Sequence, residues 1–448
     1  MTIAFVGSFI NPLSFGKLEY IPHAICSVDN LGKITTFKKY ESSEEIQQAL
    51  QLLDSAEQIV ILKKEEFFCP GLVDCHAHAP QIRNVGVGMN LSLLEWLDQT
   101  TFPEEASYHQ QPNENFEAFH NRVATIYQQM VKLLLRNGTT TCCYFGSLHN
   151  GANCILVKVI AEMGQRALVG KVCMDCNSPS YYIENTETSI KETGEFIKTV
   201  KEIDSKLPIP ETILPIVTPR FALSCSSSLM AGLAHLAIKH KVHIQTHMSE
   251  NIVEIKRALE LFPLQKNYTE IYDVHGLLTT HTILAHCIYL SENEQRLLSE
   301  RGVGVAHCPN SNFSLNSGVM NARAIINAGI NVGLGTDFSG GSSVSILDTM
   351  RQAIIASKVL YFQDSLYMPL NNEEVFYLAT LGGAKALKLD NCIGDFAVGK
   401  SFDAIRVKPP EHYREIIRPC KLSESFERFV SLGDNYWISS TFVNGRAV

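Results

Sequence analysis

His76 and His78 stand two residues apart at the end of an apolar run, Leu72–His76. Positions i and i+2 of a strand project to one face, so two imidazoles there can converge on one metal ion. Alone, the pair equally describes two histidines satisfied by nearby carbonyls. Four more residues fall in comparable places. His247, His286 and His307 lie at the ends of later apolar runs, and Asp337 follows the last run in Leu334-Gly335-Thr336-Asp337. Three imidazoles with one carboxylate suit zinc, a water completing the shell. Glu250, three residues after His247, sits where a strand gives way to a helix. A carboxylate there can face that water without ligating the metal and act as a general acid and base. By itself a Glu at a helix start is explained by the helix dipole. Beside a metal site the proton-carrying role is the stronger reading.

These residues need a scaffold that collects strand ends. Eight short apolar runs alternate with helical segments: Leu72–His76, Thr139–Phe145, Ala167–Met174, Ile213–Thr218, Val242–His247, Ile283–Cys287, Val303–His307 and Val332–Thr336. Continuous apolar strands separated by helices argue for a parallel sheet buried on both faces. Eight units argue for an α/β fold of the (β/α)8 barrel type, whose active sites lie at the carboxyl ends of the strands. An open doubly wound sheet is the structural alternative. The helical segments carry stop signals: Phe116–Asn137 closes at Gly138, Gly151–Met163 at Gly164 and Met320–Asn327 at Gly329.

Outside the barrel the pattern is β-like. His23 to Lys39 holds two runs around the turn Asp29-Asn30-Leu31-Gly32, and Gln58–Leu62 is another. Ser42-Ser43-Glu44-Glu45 opens a helix expected to reach Leu53. After Leu387 come Ile393–Val398, Ala404–Val407 and Trp437–Val443. The simplest arrangement pairs these with the N-terminal strands. The expected division is therefore residues 1–69 and 388–448 in one small β-sandwich domain, and residues 70–387 in the barrel.

Composition narrows the function. Of 448 residues, 45% are hydrophobic and 19% charged, an ordinary globular balance. Net charge is 38 − 46 = −8, which gives no support to a nucleic-acid polymer or an anionic membrane as partner. No run of about 18 apolar residues suggests a membrane span. The apolar start, Met1 to Phe9, lacks a basic beginning and a small-residue cleavage site, so it reads as a strand. Thirteen cysteines, an odd number spread over a long chain, fit reduced thiols in a cytoplasmic protein. Cys173-Met174-Asp175-Cys176 has no second pair nearby to complete a zinc site, and no phosphate loop or nucleophile elbow occurs.

The segment Pro70-Gly71-Leu72-Val73-Asp74-Cys75-His76-Ala77-His78 resembles the opening signature of the amidohydrolase superfamily. The resemblance extends over nearly the whole chain. Within that superfamily the chain is most similar to the guanine deaminases of eukaryotic type. The residues carrying this likeness are His76-Ala77-His78-Ala79-Pro80-Gln81, Leu93-Leu94-Glu95-Trp96-Leu97, Thr101-Phe102-Pro103 and Thr218-Pro219-Arg220-Phe221. Further on they are His247-Met248-Ser249-Glu250, Ala306-His307-Cys308-Pro309-Asn310-Ser311-Asn312 and Gly333-Leu334-Gly335-Thr336-Asp337.

The resemblance implies hydrolytic deamination of guanine to xanthine and ammonia in a homodimer. It implies zinc ligands at His76, His78, His247 and Asp337. It makes Glu250, His286 and Asp337 catalytic: Asp337 orients or deprotonates the water, Glu250 carries protons to ring N3 and then to the leaving amine, and His286 stabilises the tetrahedral centre. It places the substrate among His78, Gln81, Arg220, Phe221, His247, Glu250 and Asp337. The chemistry is compatible. An Arg can donate to the carbonyl and N7 edge of guanine, Gln can donate and accept, and Phe offers a face to a planar ring. Some superfamily members hold two metals bridged by a modified Lys ending strand four. Here that strand ends Ile216-Val217-Thr218-Pro219-Arg220, so one Zn2+ per chain is expected. Deamination of another aminated purine, a pterin or a triazine is the first alternative. A non-catalytic scaffold on the same fold is the second, and it predicts missing ligands.

Overall fold

The computed structural model describes residues 2–51, 58–414 and 420–448. Five strands open the chain: β1 (Ile3–Ser14), β2 (Lys17–Val28), β3 (Ile34–Lys39), β4 (Gln58–Ile61) and β5 (Phe67–Pro70). The next nine are β6 (Leu72–His78), β7 (Thr139–Phe145), β8 (Arg166–Gly170), β9 (Val172–Cys173), β10 (Ile213–Pro219), β11 (His243–Met248), β12 (Thr282–His286), β13 (Gly304–His307) and β14 (Asn331–Leu334). Three follow near the C-terminus: β15 (Ala404–Val407), β16 (Ile438–Val443) and β17 (Arg446–Ala447).

From β6 to β14 the main path is parallel, each of eight strands pairing with the next and β9 continuing beside β10. All eight expected barrel runs are present as strands. The run Ala167–Met174 is divided between β8 and β9 at Lys171, whose buried ammonium pairs with Glu184 at 2.5 Å. The barrel closes between its last and first strands. Asp337 N–H donates to His76 O at 2.9 Å, and Thr336 N–H donates to the Asp74 carboxylate at 3.0 Å. Gly335 permits this approach, because a Cβ there would lie 2.9 Å from the His76 Cβ. The helices between strands bury one face each. In Phe116–Arg136 that face holds Val123, Tyr127, Met130, Val131 and Leu134, and the cap Asn115 accepts from Ala118 N–H. The helix Asn150–Met163 stops at Gly164, whose φ of +75° is the left-handed conformation that ends helices.

The strands of both termini join in one mixed sheet, β17-β16-β15-β5-β1-β2-β3, with β4 also paired to β1. Its core is aromatic: Phe5 stacks on Phe402 at 4.0 Å and meets Phe68 and Phe442 edge-on. Arg166 of β8 ties the barrel to this sheet through a buried pair with Asp403 at 2.8 Å.

Two expectations need correction. Ile393–Val398 is not a strand. Gly394 takes φ of +104° and Phe396 turns inward against Phe9, its N–H held by Asn11. The segment thus plugs the aromatic core without pairing along an edge. The helix Leu422–Leu432 was not expected, although Phe426, Phe429 and Val430 recur at helical spacing and are buried. The helix beginning at Ser43 runs to Gln51, and its expected end at Leu53 lies outside the described residues.

Candidate active site

His76 and His78 end β6, His247 lies near the end of β11, and Asp337 follows β14. The parallel pairing brings these four to the carboxyl end of the barrel. His76 Nε2 lies 3.2 Å from Asp337 Oδ1, and His78 Nε2 lies 3.4 Å from the same oxygen. His78 Nε2 and His247 Nε2 face each other at 3.0 Å. Ring nitrogens His76 Nε2, His78 Nδ1 and His286 Nε2 are buried without a hydrogen-bond partner. Burial holds His76, His78 and His247 below the usual histidine pKa, with neighbouring imidazoles adding to the effect at His78 and His247. Burial thus favours the neutral, ligating form of these three rings. Burial alone would raise the Asp337 carboxyl, but His76, His286 and His78 hold it well below the usual carboxylate range. Neutral imidazoles and one carboxylate, converging with unpartnered ring nitrogens, are the donor set of a zinc-type site.

One ligand candidate is oriented by the main chain. His247 Nδ1 lies 2.7 Å from Arg220 O, so Nδ1 carries the proton and Nε2 keeps its lone pair for the cluster. His286 is held differently, by Asn312 Oδ1 at 2.9 Å from its Nδ1. Its Nε2 faces Glu250 Oε2 at 3.5 Å and Asp337 Oδ2 at 3.7 Å. Burial opposes charge on this ring, yet Glu250 and Asp337 outweigh it and raise its pKa. His286 and Asp337 have φ of +73° and +45°, and Ser249 has +50°. Left-handed backbone at these non-glycine residues is strain held at the strand ends that carry the site.

Glu250 is 4% exposed, and burial pushes its carboxyl up to about 7. Its side chain accepts from Ser317 Oγ at 3.3 Å. Its backbone N–H donates to Glu254, a buried carboxylate that also accepts from Asn251 N–H and from Tyr268 OH. Glu254 thus braces the turn that carries Glu250.

Arg220, Phe221, His78, His247, Glu250, His286 and Asp337 line one pocket, with Leu93, Trp96 and Leu97 as an apolar wall. Gln81 is buried in the short helical turn Ala79–Asn84 after β6. Of the residues expected in the site, all but His76 and Gln81 line that pocket; His76 belongs to the group of metal-type donors, and Gln81 shares the Glu105 carboxylate with Arg220. His307 ends β13 as expected but belongs to neither potential metal group, and burial drives its pKa down to about 3. A roomier cleft beside Tyr20, Arg428 and Trp437 contains no such cluster among the described residues.

The sequence reading missed Glu105. It is fully buried in the short helix Phe102–Ala106 and accepts from Gln81 Nε2 at 2.6 Å, Arg220 Nη1 at 2.8 Å and Tyr182 OH at 2.7 Å. Nothing local marks it, because Glu104 beside it has the same chemistry and faces Arg83 near the surface. Its adjacency to Thr101-Phe102-Pro103 was the one available signal.

The model of the amidohydrolase family matches residues 67–448. Mouse guanine deaminase is 40% identical over 100% of this chain and 97% of its own. Human guanine deaminase is 40% identical over 99% of this chain and 96% of its own. A crystal structure of guanine deaminase from C. acetobutylicum, with guanine bound in its active site, superposes with a TM-score of 0.88. It is 33% identical and covers 100% of both chains.

Proposed function

The chain belongs to the amidohydrolase family and, within it, to the guanine deaminases, and from that premise we propose that its site hydrolyses guanine to xanthine and ammonia. One arrangement supports the reading: a buried carboxyl held near neutrality, Glu250, shares a pocket with His78, His247, Asp337 and Arg220, and His76 adjoins Asp337.

His76, His78, His247 and Asp337 would hold one zinc ion per chain. When bound, such an ion supplies Lewis acidity and an activated water at neutral pH. The chain's own residues supply the rest. Asp337, the most acidic carboxylate of the cluster, orients the attacking water. Glu250 takes a proton from that water and delivers it to ring N3 as oxygen bonds to C2. Glu250, now ionised again, takes the remaining proton from the new C2 hydroxyl and passes it to the exocyclic nitrogen; the C2–N bond breaks, C2=O forms, and ammonia leaves. A carboxyl near pKa 7 both accepts and releases protons at working pH. His286, doubly hydrogen-bonding when protonated, stabilises the charge that develops at C2. Arg220 donates to the carbonyl edge, Gln81 hydrogen-bonds the ring and Phe221 covers its face. His78 and His247 complete the pocket wall.

Family likeness supports a place in purine degradation, in the cytoplasm and in a homodimer. No described helix is long and apolar enough to cross a membrane. The test is ammonia release by zinc-loaded protein from guanine, adenine, cytosine and 8-oxoguanine, with and without a chelator. Chelator-sensitive release from guanine is expected. Release from another base but not from guanine would overturn the substrate, and release from none would overturn the activity.

A further inference from the structure

We propose that Glu105 is a positioning residue that sets the hydrogen-bonding polarity of the pocket edge. The inference rests on the guanine reading and deepens it. Gln81 can present either end of its amide, and sequence alone leaves both open. Glu105 removes the choice. A contact of 2.6 Å to a carboxylate oxygen requires the amide nitrogen to face Glu105, since the reversed amide would set oxygen against oxygen. The leftover group is Gln81 Oε1, which is buried and has no protein partner.

The same carboxylate takes one donor of Arg220, whose guanidinium also lies over the Phe102 ring at 5.2 Å. Tyr182 OH fills Glu105 Oε2 from a third side, and Tyr182 itself accepts from Leu148 N–H. The edge left for a ligand is therefore one acceptor from Gln81 and the remaining donors of Arg220. That pair complements a lactam edge, where an N–H stands beside a C=O. A ring with a bare nitrogen in place of the N–H would set its lone pair against Gln81 Oε1. Leaving such groups unpaired in a buried site costs roughly tenfold to a hundredfold in affinity. Glu105 thus enforces discrimination without touching the ligand.

The test uses full-length zinc-loaded protein. Guanine deamination is measured for the unaltered protein, Glu105→Gln and Glu105→Asp, with hypoxanthine and purine as competing ligands. Hypoxanthine carries the lactam edge and purine lacks it. In Glu105→Gln the new amide nitrogen faces Gln81 and forces its amide to turn, so the acceptor becomes a donor. Expected are a KM for guanine raised about tenfold or more, kcat changed less, and a collapse of the preference for hypoxanthine over purine. Glu105→Asp keeps the charge and retains most of that preference. Glu105 lies 4.0 Å from His78 Nδ1, so zinc per chain is measured alongside. Loss of zinc with ligand preference intact would overturn the proposal, as would equal weakening of both ligands. If Glu105→Gln does not fold, Gln81→Leu, which removes the acceptor that Glu105 orients, must collapse the preference for hypoxanthine over purine; an unchanged preference there also overturns it. Failure of the unaltered protein to act on guanine would instead strike the parent reading.

Discussion

His247 donates its Nδ1–H in a hydrogen bond to the main-chain oxygen of Arg220 across 2.7 Å. One residue therefore serves two tasks by separate parts. Its carbonyl orients an imidazole of the proposed metal site, and its guanidinium lines the pocket. The separation is testable. Arg220→Ala keeps the carbonyl and removes the guanidinium. Zinc content, read by elemental analysis, should hold, while kcat/KM for guanine falls by about one to two orders of magnitude, the scale of a lost hydrogen bond from a charged group. Parallel loss of zinc would show the two tasks to be coupled.

Glu250→Gln keeps shape and loses the ionisable group. Turnover should drop by about 10² to 10⁴-fold with zinc retained if Glu250 carries the proton as proposed. Normal single-turnover rates in the variant would remove Glu250 from the proton path.

Glu254→Leu removes the acceptor shared by Glu250 N–H, Asn251 N–H and Tyr268 OH. Stability in urea should fall by about 1–3 kcal/mol from buried groups left unpaired. kcat should fall as well, because the turn bearing Glu250 loses its brace. A stability loss with unchanged kcat would confine Glu254 to the fold.

Acid should destabilise the protein in part through His243. Burial, with His281 beside it, pushes this ring down to about 4. In the unfolded chain a histidine titrates near 6.5. Between those values the unfolded state binds a proton that the folded state refuses, so stability falls as pH falls. Melting temperatures from pH 7 to 5 should drop less steeply in His243→Gln than in the unaltered protein. Parallel slopes would show that this ring is not the group responsible.

Arg166→Leu leaves Asp403 charged and buried without its partner. Since both side chains are nearly inaccessible, the loss should be about 3–5 kcal/mol in denaturant unfolding. Because the pair joins β8 to the terminal sheet, a separated early transition should appear. A single unshifted transition would show that other contacts carry that junction.

The legible part of this molecule is the part written in contiguous stretches. Each barrel strand is a short apolar run, and a metal-type residue at its end is visible by position alone. His76, His78, His247 and Asp337 could be assembled because a parallel barrel collects strand ends. Glu105 and Asn312 could not, because their importance lies in partners far along the chain, and Glu254, whose partners are local, looks like any glutamate of a helix's first turn. Glu105 meets Arg220 across 115 positions. Ile393–Val398 misled for a related reason. It is apolar enough to read as β-like, but Phe396 answers to Phe9 near the other terminus.

The barrel seam has a consequence for how the protein is made. Asp74 and Thr336, which meet at 3.0 Å across it, stand 262 positions apart. His76 lies on the early side of that join and Asp337 on the late side. A ribosome must deliver most of the chain before the two can meet, so no shorter nascent fragment carries the full ligand set. Zinc bound across the join would favour the closed barrel by mass action over any partly assembled form. The proposed ligand set would thus be complete only once the chain has been made as far as Asp337.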